Sequence, residues 1–175
     1  MLIIEGPDLV GKTTLAHKLI ERIPTHMYSW LNRPAFRHDR FVHYLRRASP
    51  WVVQDRFHMS EVLYALMRRD SELLLTPEKY KMIEAWLRVN CGMFTVILWD
   101  SKGIPESRFR EEEMYNLDQV NQVNELFGKT DLPHALRFDL QGRFVNEDEI
   151  IAILQAYLSQ FREWKKLYHE MKRWT

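Results

Sequence analysis

The sequence is poor in cysteine and in long apolar runs. Its one cysteine among 175 residues, Cys91, excludes an internal disulfide and predicts a buried thiol in a reducing compartment. No apolar run approaches the roughly 20 residues that a membrane helix needs, and the N-terminal apolar stretch is too short for a signal peptide. We therefore predict a cytoplasmic protein with no membrane partner.

The sequence also has almost no net charge. Its 25 basic and 24 acidic residues give a formal charge of +1, so no global basic field attracts nucleic acid and any anion site must be local. The hydrophobic fraction of 46% and the charged fraction of 28% are typical of an ordinary globular protein. With no internal repeat and no Pro/Gly/Ser-rich linker, we predict a single domain over residues 1–175.

Short apolar runs alternate with helical patterns along the chain. This alternation predicts βαβ crossovers and a parallel β-sheet flanked by helices, which is the α/β class. The predicted strands are Met1–Glu5, Trp51–Gln54, Phe94–Trp99 and Ala135–Asp139, with a weaker candidate at His26–Trp30. The predicted helices are Lys12–Ile23, Ala35–Arg47, Ser60–Arg69, Pro77–Val89, Glu106–Phe127, Asn146–Leu158 and a final amphipathic helix whose apolar stripe runs from Phe161 to Trp174.

A glycine-rich segment follows the first predicted strand. It matches the pattern G-x-x-x-x-G-K-[ST] at Gly6, Gly11, Lys12 and Thr13, between a strand and a helix. In that context the backbone N–H groups and the helix N-terminus surround phosphates, the lysine reaches the β- and γ-phosphates, and the threonine hydroxyl is a ligand for Mg²⁺. A strand-to-helix turn with a solvated lysine is the alternative. We predict a three-layer P-loop NTPase fold that binds ATP and Mg²⁺; the predicted ATP-binding residues are Gly6, Asp8, Gly11, Lys12, Thr13 and Thr14.

A second candidate site ends the strand at Trp51–Gln54. Asp55 and Arg56 fall at the sheet edge where P-loop folds gather their ligands. Asp55 is predicted to organise Mg²⁺ together with Thr13, and Arg56 to bridge donor and acceptor phosphates as a phosphoryl group passes between them. A surface ion pair is the alternative reading of Asp55 and Arg56.

Two segments imitate GTPase motifs. Residues 100–103 match D-x-x-G, and residues 129–131 resemble part of a guanine-binding motif. The first lies far beyond Lys12, with strand candidates in between, and the second follows a helical pattern where base recognition requires a strand end. A phosphotransferase is therefore favoured over a GTPase.

The motifs resemble those of thymidylate kinase and its nucleoside monophosphate kinase relatives. That family's E-G-x-D-x-x-G-K-T-T is matched by residues 5–14, and its D-R-Y-x-x-S-x-x-A-Y is similar to residues 55–64. Phe36 and Arg40 resemble its F-x-x-x-R, and residues 100–108 loosely follow the sequence at which its lid begins. The match covers roughly residues 1 to 130.

The resemblance implies a role for each matching residue. Asp8 would face the acceptor sugar, and Tyr64 would close the sugar pocket. Arg40 and Arg56 would hold the acceptor phosphate. Phe36 would stack on the acceptor base, although core packing explains it equally well. In a lid near residues 104–116, Arg108 or Arg110 would cover the donor phosphates; a solvated charged turn is the alternative.

Departures from the family leave the acceptor open. Arg40 lies only 15 residues before Asp55, phenylalanine at 57 replaces tyrosine, and Ala65 stands where an amide that reads the base is expected. Our hypothesis is a kinase that transfers the ATP γ-phosphate to a deoxynucleoside monophosphate such as thymidylate.

Two alternatives stay open. The first is a kinase that phosphorylates a hydroxyl of a nucleoside or of a hydroxymethylated pyrimidine in DNA, with DNA as a partner through residues 33–47. No glutamate, the usual base of nucleoside kinases, occurs between Thr25 and Pro34, which counts against a plain nucleoside kinase. The second is a nucleotide-binding switch without transfer activity. A homodimer is also compatible with the apolar stripes, although core packing explains them equally well.

Overall fold

Five parallel strands form the centre of the computed structural model, in the spatial order β2-β3-β1-β4-β5. The structure describes residues 1–22, 27–30, 40–69, 75–109, 114–132, 135–155 and 159, with residues 30 and 40 described by their backbone alone. The strands are β1 (Leu2–Glu5), β2 (Met27–Trp30), β3 (Val52–Asp55), β4 (Phe94–Trp99) and β5 (Ala135–Asp139).

The strand register aligns the carboxyl ends of the central strands. Ile4 of β1 lies opposite Asp55 of β3, and Glu5 lies opposite Ile97 of β4. All pairs are parallel, so the loops that leave β1, β3 and β4 emerge at one edge of the sheet. Ligands of open α/β sheets bind at that edge.

Helices cover both faces of the sheet. The helices of this part of the chain are α1 (Lys12–Arg22), α2 (Arg40–Arg47), α3 (His58–Arg68), α4 (Pro77–Cys91) and α5 (Leu117–Lys129), together with a 3₁₀ turn over Glu106–Arg108. Helix α1 packs on β1, β2 and β3, and its Thr13 meets Asp55. Ile97, whose side chain points to the opposite face, packs with Val123 and Phe127 of α5. The α/β fold of a parallel sheet between helical layers is therefore confirmed.

A core cluster lies under α2, α3 and α4. It combines the buried side chains of Met1, Ile3, Tyr44, Phe57, Leu75, Ile83, Leu87 and Cys91. Fully burying an aliphatic or aromatic side chain of this kind stabilises the fold by about 1.5 to 3 kcal/mol. The predicted burial of Cys91 is confirmed.

Local sequence signals explain several element boundaries. Thr76 begins α4 by accepting a hydrogen bond from the backbone N–H of Lys79 at 3.4 Å, ahead of Pro77 at the first helical position. The predicted strands Phe94–Trp99 and Ala135–Asp139 are confirmed to the residue. The weak strand candidate at His26–Trp30 is also present, as β2.

The predicted helix Glu106–Phe127 is wrong in its first half. The chain forms the 3₁₀ turn Glu106–Arg108, and α5 begins only at Leu117. A capping box explains the late start: Asn116 Oδ1 accepts from the N–H of Gln119 at 2.9 Å, while Gln119 Oε1 accepts from the N–H of Asn116 at 3.1 Å. These reciprocal bonds satisfy N–H groups that are free only at a helix N-terminus.

The chain divides into two units, Met1–Val145 and Asn146–Thr175, and the single-domain organisation stays a prediction. In the second unit, Asn146 caps the helical residues 147–155 by accepting from the N–H of Glu149 at 3.3 Å. The predicted apolar stripe from Phe161 to Trp174 lies outside the described residues. Within the described ranges, none of the helices combines the length and hydropathy of a membrane span.

Candidate functional site

The loop between β1 and α1 is shaped by two glycines. Gly6 has φ 151° and Gly11 has φ 85°, a backbone region that favours glycine. A Cβ at Gly6 would collide with the carbonyl oxygen of Leu98, and one at Gly11 with the side chain of Val145. The loop therefore lies tightly against the end of β4 and against the segment that follows β5.

The lysine of this loop points back into it. Lys12 is only 5% exposed, and its ammonium group donates a hydrogen bond to the carbonyl oxygen of Pro7. The N–H groups at the start of α1 and this ammonium group face the same small loop. Such an arrangement attracts anions, because the helix N-terminus adds positive potential to the charge of the lysine.

Asp55 joins α1 and β2 at the carboxyl end of β3. Its Oδ2 accepts from the hydroxyl of Thr13 at 2.6 Å and from the hydroxyl of Tyr28 at 3.2 Å. The Oδ1 atom is buried and accepts no hydrogen bond within the part of the chain that the structure describes. The ring of Tyr28 stacks on His17, with 4.5 Å between the ring centroids. Burial and the charge of Asp55 raise the pKa of Tyr28 to about 12, so its hydroxyl keeps its proton at neutral pH.

A second cluster lies beside the loop, around Asp8. The Asp8 carboxylate forms an ion pair with the guanidinium of Arg56 and accepts from the hydroxyl of Tyr64 at 2.8 Å. The backbone N–H of Asp8 donates to the same hydroxyl at 3.1 Å. The guanidinium of Arg56 also lies 5.3 Å from the centre of the Tyr64 ring, and the ring of Tyr115 lies 5.2 Å from that of Tyr64. Carboxylate, guanidinium and phenol groups thus converge next to the glycine loop.

Arg108 lies in a third cluster, with Asp100. Its guanidinium is 3.7 Å from Asp100 Oδ2 and donates to the carbonyl oxygen of Gly142 at 3.3 Å. The same group stacks on the ring of Phe144 at 4.5 Å, and Phe144 is 78% exposed. Asp100 Oδ1 accepts from the N–H of Gly142 at 2.8 Å, which ties the end of β4 to the segment after β5.

The structure brings most of the predicted site residues together and separates a few. Those gathered around the loop between β1 and α1 are Gly6, Asp8, Gly11, Lys12, Thr13, Asp55, Arg56 and Tyr64. Thr14 is exposed on α1, and Arg108 belongs to the Asp100 cluster. Arg40 begins α2, but its side chain lies outside the described residues, as do Phe36 and Arg110. The roles of all these residues stay predictions.

Sequence reasoning missed three aromatic residues of these clusters. Tyr28, Tyr115 and Phe144 each contact a predicted site residue or its partner. Of the three, only Tyr28 could have been found from the sequence, because it belongs to a strand candidate that ends at the same sheet edge as Asp55. Tyr115 and Phe144 lie in irregular segments, where no periodicity indicates a direction for the side chain.

Comparisons with solved structures found several related folds. The chain is similar to the YorR protein from Bacillus subtilis in complex with phosphorylated GDP, at 22% identity and a TM-score of 0.69 over 93% of this chain and 97% of that one. It is similar to thymidylate kinase from Candida albicans at 14% identity and a TM-score of 0.55, over 89% and 91% of the two chains. Deoxyadenosine kinase from M. mycoides with bound dATP matches at 15% identity and a TM-score of 0.51, over 89% and 98%.

Comparison by sequence found fewer relatives than comparison by fold. No family model and no curated protein sequence matches this chain. The structural likeness spans nearly the whole chain, and it includes a thymidylate kinase. The thymidylate kinase-like resemblance of the sequence is therefore confirmed at the level of the fold, and the chain has the P-loop fold that thymidylate kinase and deoxyadenosine kinase share.

Proposed function

We propose that the protein transfers the γ-phosphoryl group of ATP to a deoxynucleoside monophosphate, most simply thymidylate. The observation that carries the proposal is the cluster of Asp8, Arg56 and Tyr64 beside the glycine loop. A nucleotide-binding switch needs the loop alone. A transferase also needs groups that orient a second substrate, and this cluster supplies them.

The glycine loop and Lys12 bind the donor phosphates. The Lys12 ammonium donates to a carbonyl of its own loop, and this bond can be exchanged for bonds to the β- and γ-phosphates. Lysine acts as a compact positive charge at this position.

Thr13 and Asp55 are the residues that would hold Mg²⁺. Both side chains offer the oxygen ligands that the ion prefers. The Oδ1 of Asp55 is a buried carboxylate oxygen that accepts no hydrogen bond from the described residues, and so it is available to the ion. When bound, Mg²⁺ would neutralise the charge that develops on the transferring phosphoryl group. Asp55 holds the Thr13 hydroxyl by accepting a hydrogen bond from it, which leaves the lone pairs of that hydroxyl available for a metal ion.

Arg56 and Tyr64 position the acceptor. The forked guanidinium of Arg56 matches a phosphate dianion, and a phosphate competes with Asp8 for it. In the transfer, an oxygen of the acceptor phosphate forms a bond to the γ-phosphorus, the bond between that phosphorus and the β–γ bridging oxygen breaks, and ADP leaves. The ring of Tyr64 and the carboxylate of Asp8 then face the sugar side of the acceptor.

Arg108 and Phe144 are proposed to bind the donor base. The exposed ring of Phe144 offers a flat surface that the buried guanidinium of Arg108 supports from its other face, and Val145, next to Phe144, contacts the glycine loop at Gly11. A purine stacks well on such a surface. This role differs from the lid role that the resemblance implies for Arg108, since the Arg108 side chain is only 5% exposed.

The second candidate is transfer to a hydroxyl of a nucleoside. The similarity to a deoxyadenosine kinase favours it, because that enzyme has a related fold. An acceptor hydroxyl must lose a proton, and Asp8 or Asp55 would accept it. Arg56 would then have no acceptor phosphate to bind.

The test is acceptor-dependent release of ADP by the purified protein. ATP and Mg²⁺ are incubated with deoxynucleoside monophosphates of all four bases, with the matching nucleosides and with DNA that contains hydroxymethylated pyrimidine. We expect ADP release and a diphosphate product with at least one monophosphate. Product formed only from nucleosides or DNA would establish a hydroxyl acceptor, and ADP release that is the same with and without every acceptor would refute transfer.

A further inference from the structure

Glu5 is a fully buried carboxylate at the end of β1, one residue before the glycine loop. Its Oε1 accepts hydrogen bonds from the backbone N–H groups of Phe57 at 3.0 Å, Met59 at 3.2 Å and Ser60 at 3.4 Å. Its Oε2 accepts from the hydroxyl of Ser60. Four donors of the α3 N-terminus therefore converge on one side chain of a different element.

Helix α3 has no side-chain cap of its own at its N-terminus. Phe57 occupies the N-cap position and makes no side-chain hydrogen bond, so the first N–H groups of the helix need partners from elsewhere. Glu5 supplies them, and its oxygens lie where the helix dipole favours an acceptor. Burial raises the pKa of Glu5, and the hydrogen bond from Ser60 and the nearby His58 oppose that effect. A carboxylate is buried in this way only when its oxygens are well bonded.

The residue between β3 and this helix is Arg56, and its backbone is strained. Arg56 has φ 62°, a left-handed conformation that a non-glycine residue rarely adopts. Its N–H donates to the carbonyl oxygen of Ile4 at 2.9 Å. The carbonyl oxygen of Ile4 thus fixes the backbone of Arg56 directly. The side chain of Glu5, the next residue of the same strand, accepts hydrogen bonds from three residues that follow Arg56. Strained conformations persist only where the surroundings fix them in this manner.

We infer that Glu5 is a positioning residue for Arg56. By fixing the start of α3 to the end of β1, it keeps Arg56 in the conformation that directs the guanidinium to Asp8 of the glycine loop. The glycine loop begins at Gly6, so the donor site and the acceptor-binding arginine are fixed to the same two strand residues, Ile4 and Glu5. This inference rests on the proposed function, because it assigns Arg56 to the acceptor.

The test compares Glu5→Ala, Glu5→Gln and Ser60→Ala with the wild type. Glutamine keeps an oxygen for the three N–H groups and offers an NH₂ group to Ser60 Oγ, whereas alanine removes every bond. We expect Glu5→Ala to raise the KM for the acceptor about tenfold or more and the KM for ATP less than about twofold, since small misplacements of a positioning group cost up to about 10²-fold. Glu5→Gln should restore the acceptor KM to within about threefold.

Glu84→Gln is the matched control, since Glu84 is a buried carboxylate that contacts α3 through His58 and lies outside the proposed site. It should lower stability and leave both KM values unchanged. Equal effects of Glu5→Ala and Glu84→Gln on the two KM values would overturn the inference. If Glu5→Ala does not fold, Ser60→Ala gives the second test: it keeps the three backbone bonds to Glu5 Oε1 and removes the hydroxyl bond that fixes Oε2. We expect a smaller rise of the acceptor KM, about threefold, with the KM for ATP unchanged. An acceptor KM identical to that of the wild type would overturn the inference.

A second readout is independent of catalysis. Amide hydrogen exchange at Phe57, Met59 and Ser60 should accelerate at least about tenfold in Glu5→Ala, because those amides lose a buried acceptor. The acceleration should be smaller in Ser60→Ala, which keeps Glu5 Oε1 as the acceptor and loses only the hydroxyl bond to Oε2. Unchanged exchange would refute the positioning role even in a protein that transfers phosphate. If the wild type transfers phosphate to no acceptor, the proposed function is refuted instead. The exchange result would still show whether Glu5 fixes the start of α3.

Discussion

The guanidinium of Arg56 forms an ion pair with the carboxylate of Asp8, which joins the turn after β3 to the glycine loop after β1. Both side chains are mostly buried, at 24% and 15% exposure, so solvent screens the pair only partly. The same guanidinium is the forked donor that a phosphate dianion prefers. The pair therefore marks the point where, in our account, the acceptor phosphate meets the donor loop.

Arg56→Ala tests whether Arg56 binds the acceptor phosphate. We expect kcat/KM for the acceptor to fall about 10²- to 10³-fold, because a preorganised positive group beside the transferring phosphoryl group is lost. Arg56→Lys should recover only part of the loss, since an ammonium group cannot bind bidentately. Steady-state kinetics with the acceptor varied make the measurement. Arg88→Ala, on the outer helix α4, is the control, and a similar loss there would argue against a specific role of Arg56.

Tyr28→Phe tests the organisation of the metal site. The change removes the hydroxyl that donates to Asp55 and keeps the ring that stacks on His17. We expect the Mg²⁺ concentration for half-maximal activity to rise about fivefold, slightly below the roughly 10- to 100-fold loss seen when an outer partner of a metal ligand is removed. Binding of Mn²⁺ to the protein–ADP complex, measured by electron paramagnetic resonance, should weaken by the same factor.

Tyr80→Phe, on α4, is the control for loss of a phenol hydroxyl. It should leave the metal requirement unchanged. A Tyr28→Phe protein with wild-type Mn²⁺ affinity would show that the Tyr28 hydroxyl does not orient Asp55.

The buried pair of Glu84 and His58 predicts a pH dependence of stability. Burial opposes the charge on Glu84, but hydrogen bonds and charges of His58 and Arg88 outweigh it and hold the pKa of Glu84 below its ordinary value. A carboxyl whose pKa is lowered by folding stabilises the fold above its unfolded pKa, and that stability is lost as the pH falls through the folded pKa.

Glu84→Gln should therefore be less stable than the wild type at neutral pH, and the two proteins should converge as the pH falls below the ordinary carboxyl pKa. Because removing one partner of a buried pair leaves the other uncompensated, we expect a loss of about 3 kcal/mol at neutral pH. Urea unfolding at several pH values measures it. A difference in stability that is constant with pH would contradict the assignment.

Phe144→Ala tests the proposed site of the donor base. Loss of the exposed ring that stacks on Arg108 should raise the KM for ATP about fivefold, as expected for a stacking contact worth about 1 kcal/mol. The KM for the acceptor should stay unchanged. Val89→Ala removes another exposed apolar side chain, on α4, and serves as the control. Equal KM values for ATP in the wild type and Phe144→Ala would exclude this surface as the base site.

The sequence predicts the sheet and the donor loop well, for local reasons. Phe94–Trp99 is a continuous apolar run because the strand is covered on both faces, and Gly6 and Gly11 are required by backbone geometry. Such constraints leave a signature within a few residues. The predicted proximity of Asp55 and Thr13 follows from the parallel sheet, since strand ends share one edge.

The remaining features depend on contacts that are distant in the sequence. Glu5 and Ser60 are 55 residues apart, and although each lies in one of the two motifs, nothing in either motif indicates that the two side chains bond to each other. Arg108 and Asp100 likewise bond to Gly142 in the segment after β5, and the local sequence does not indicate these contacts. The late start of α5 was missed because helical periodicity continues through the charged segment before it, while the Asn116–Gln119 capping box sets the boundary. Tertiary contacts decide these details, and periodicity does not report them.

The most direct test of the central claim follows the γ-phosphate itself. The wild type and Lys12→Ala are incubated with Mg²⁺, a deoxynucleoside monophosphate and ATP labelled at the γ-position, after circular dichroism has shown that both are folded. Our account predicts labelled deoxynucleoside diphosphate from the wild type and at least about 10³-fold less from Lys12→Ala, because the loop loses its charge on the β- and γ-phosphates. Equal transfer by the two proteins, or label that appears only as inorganic phosphate, would contradict it.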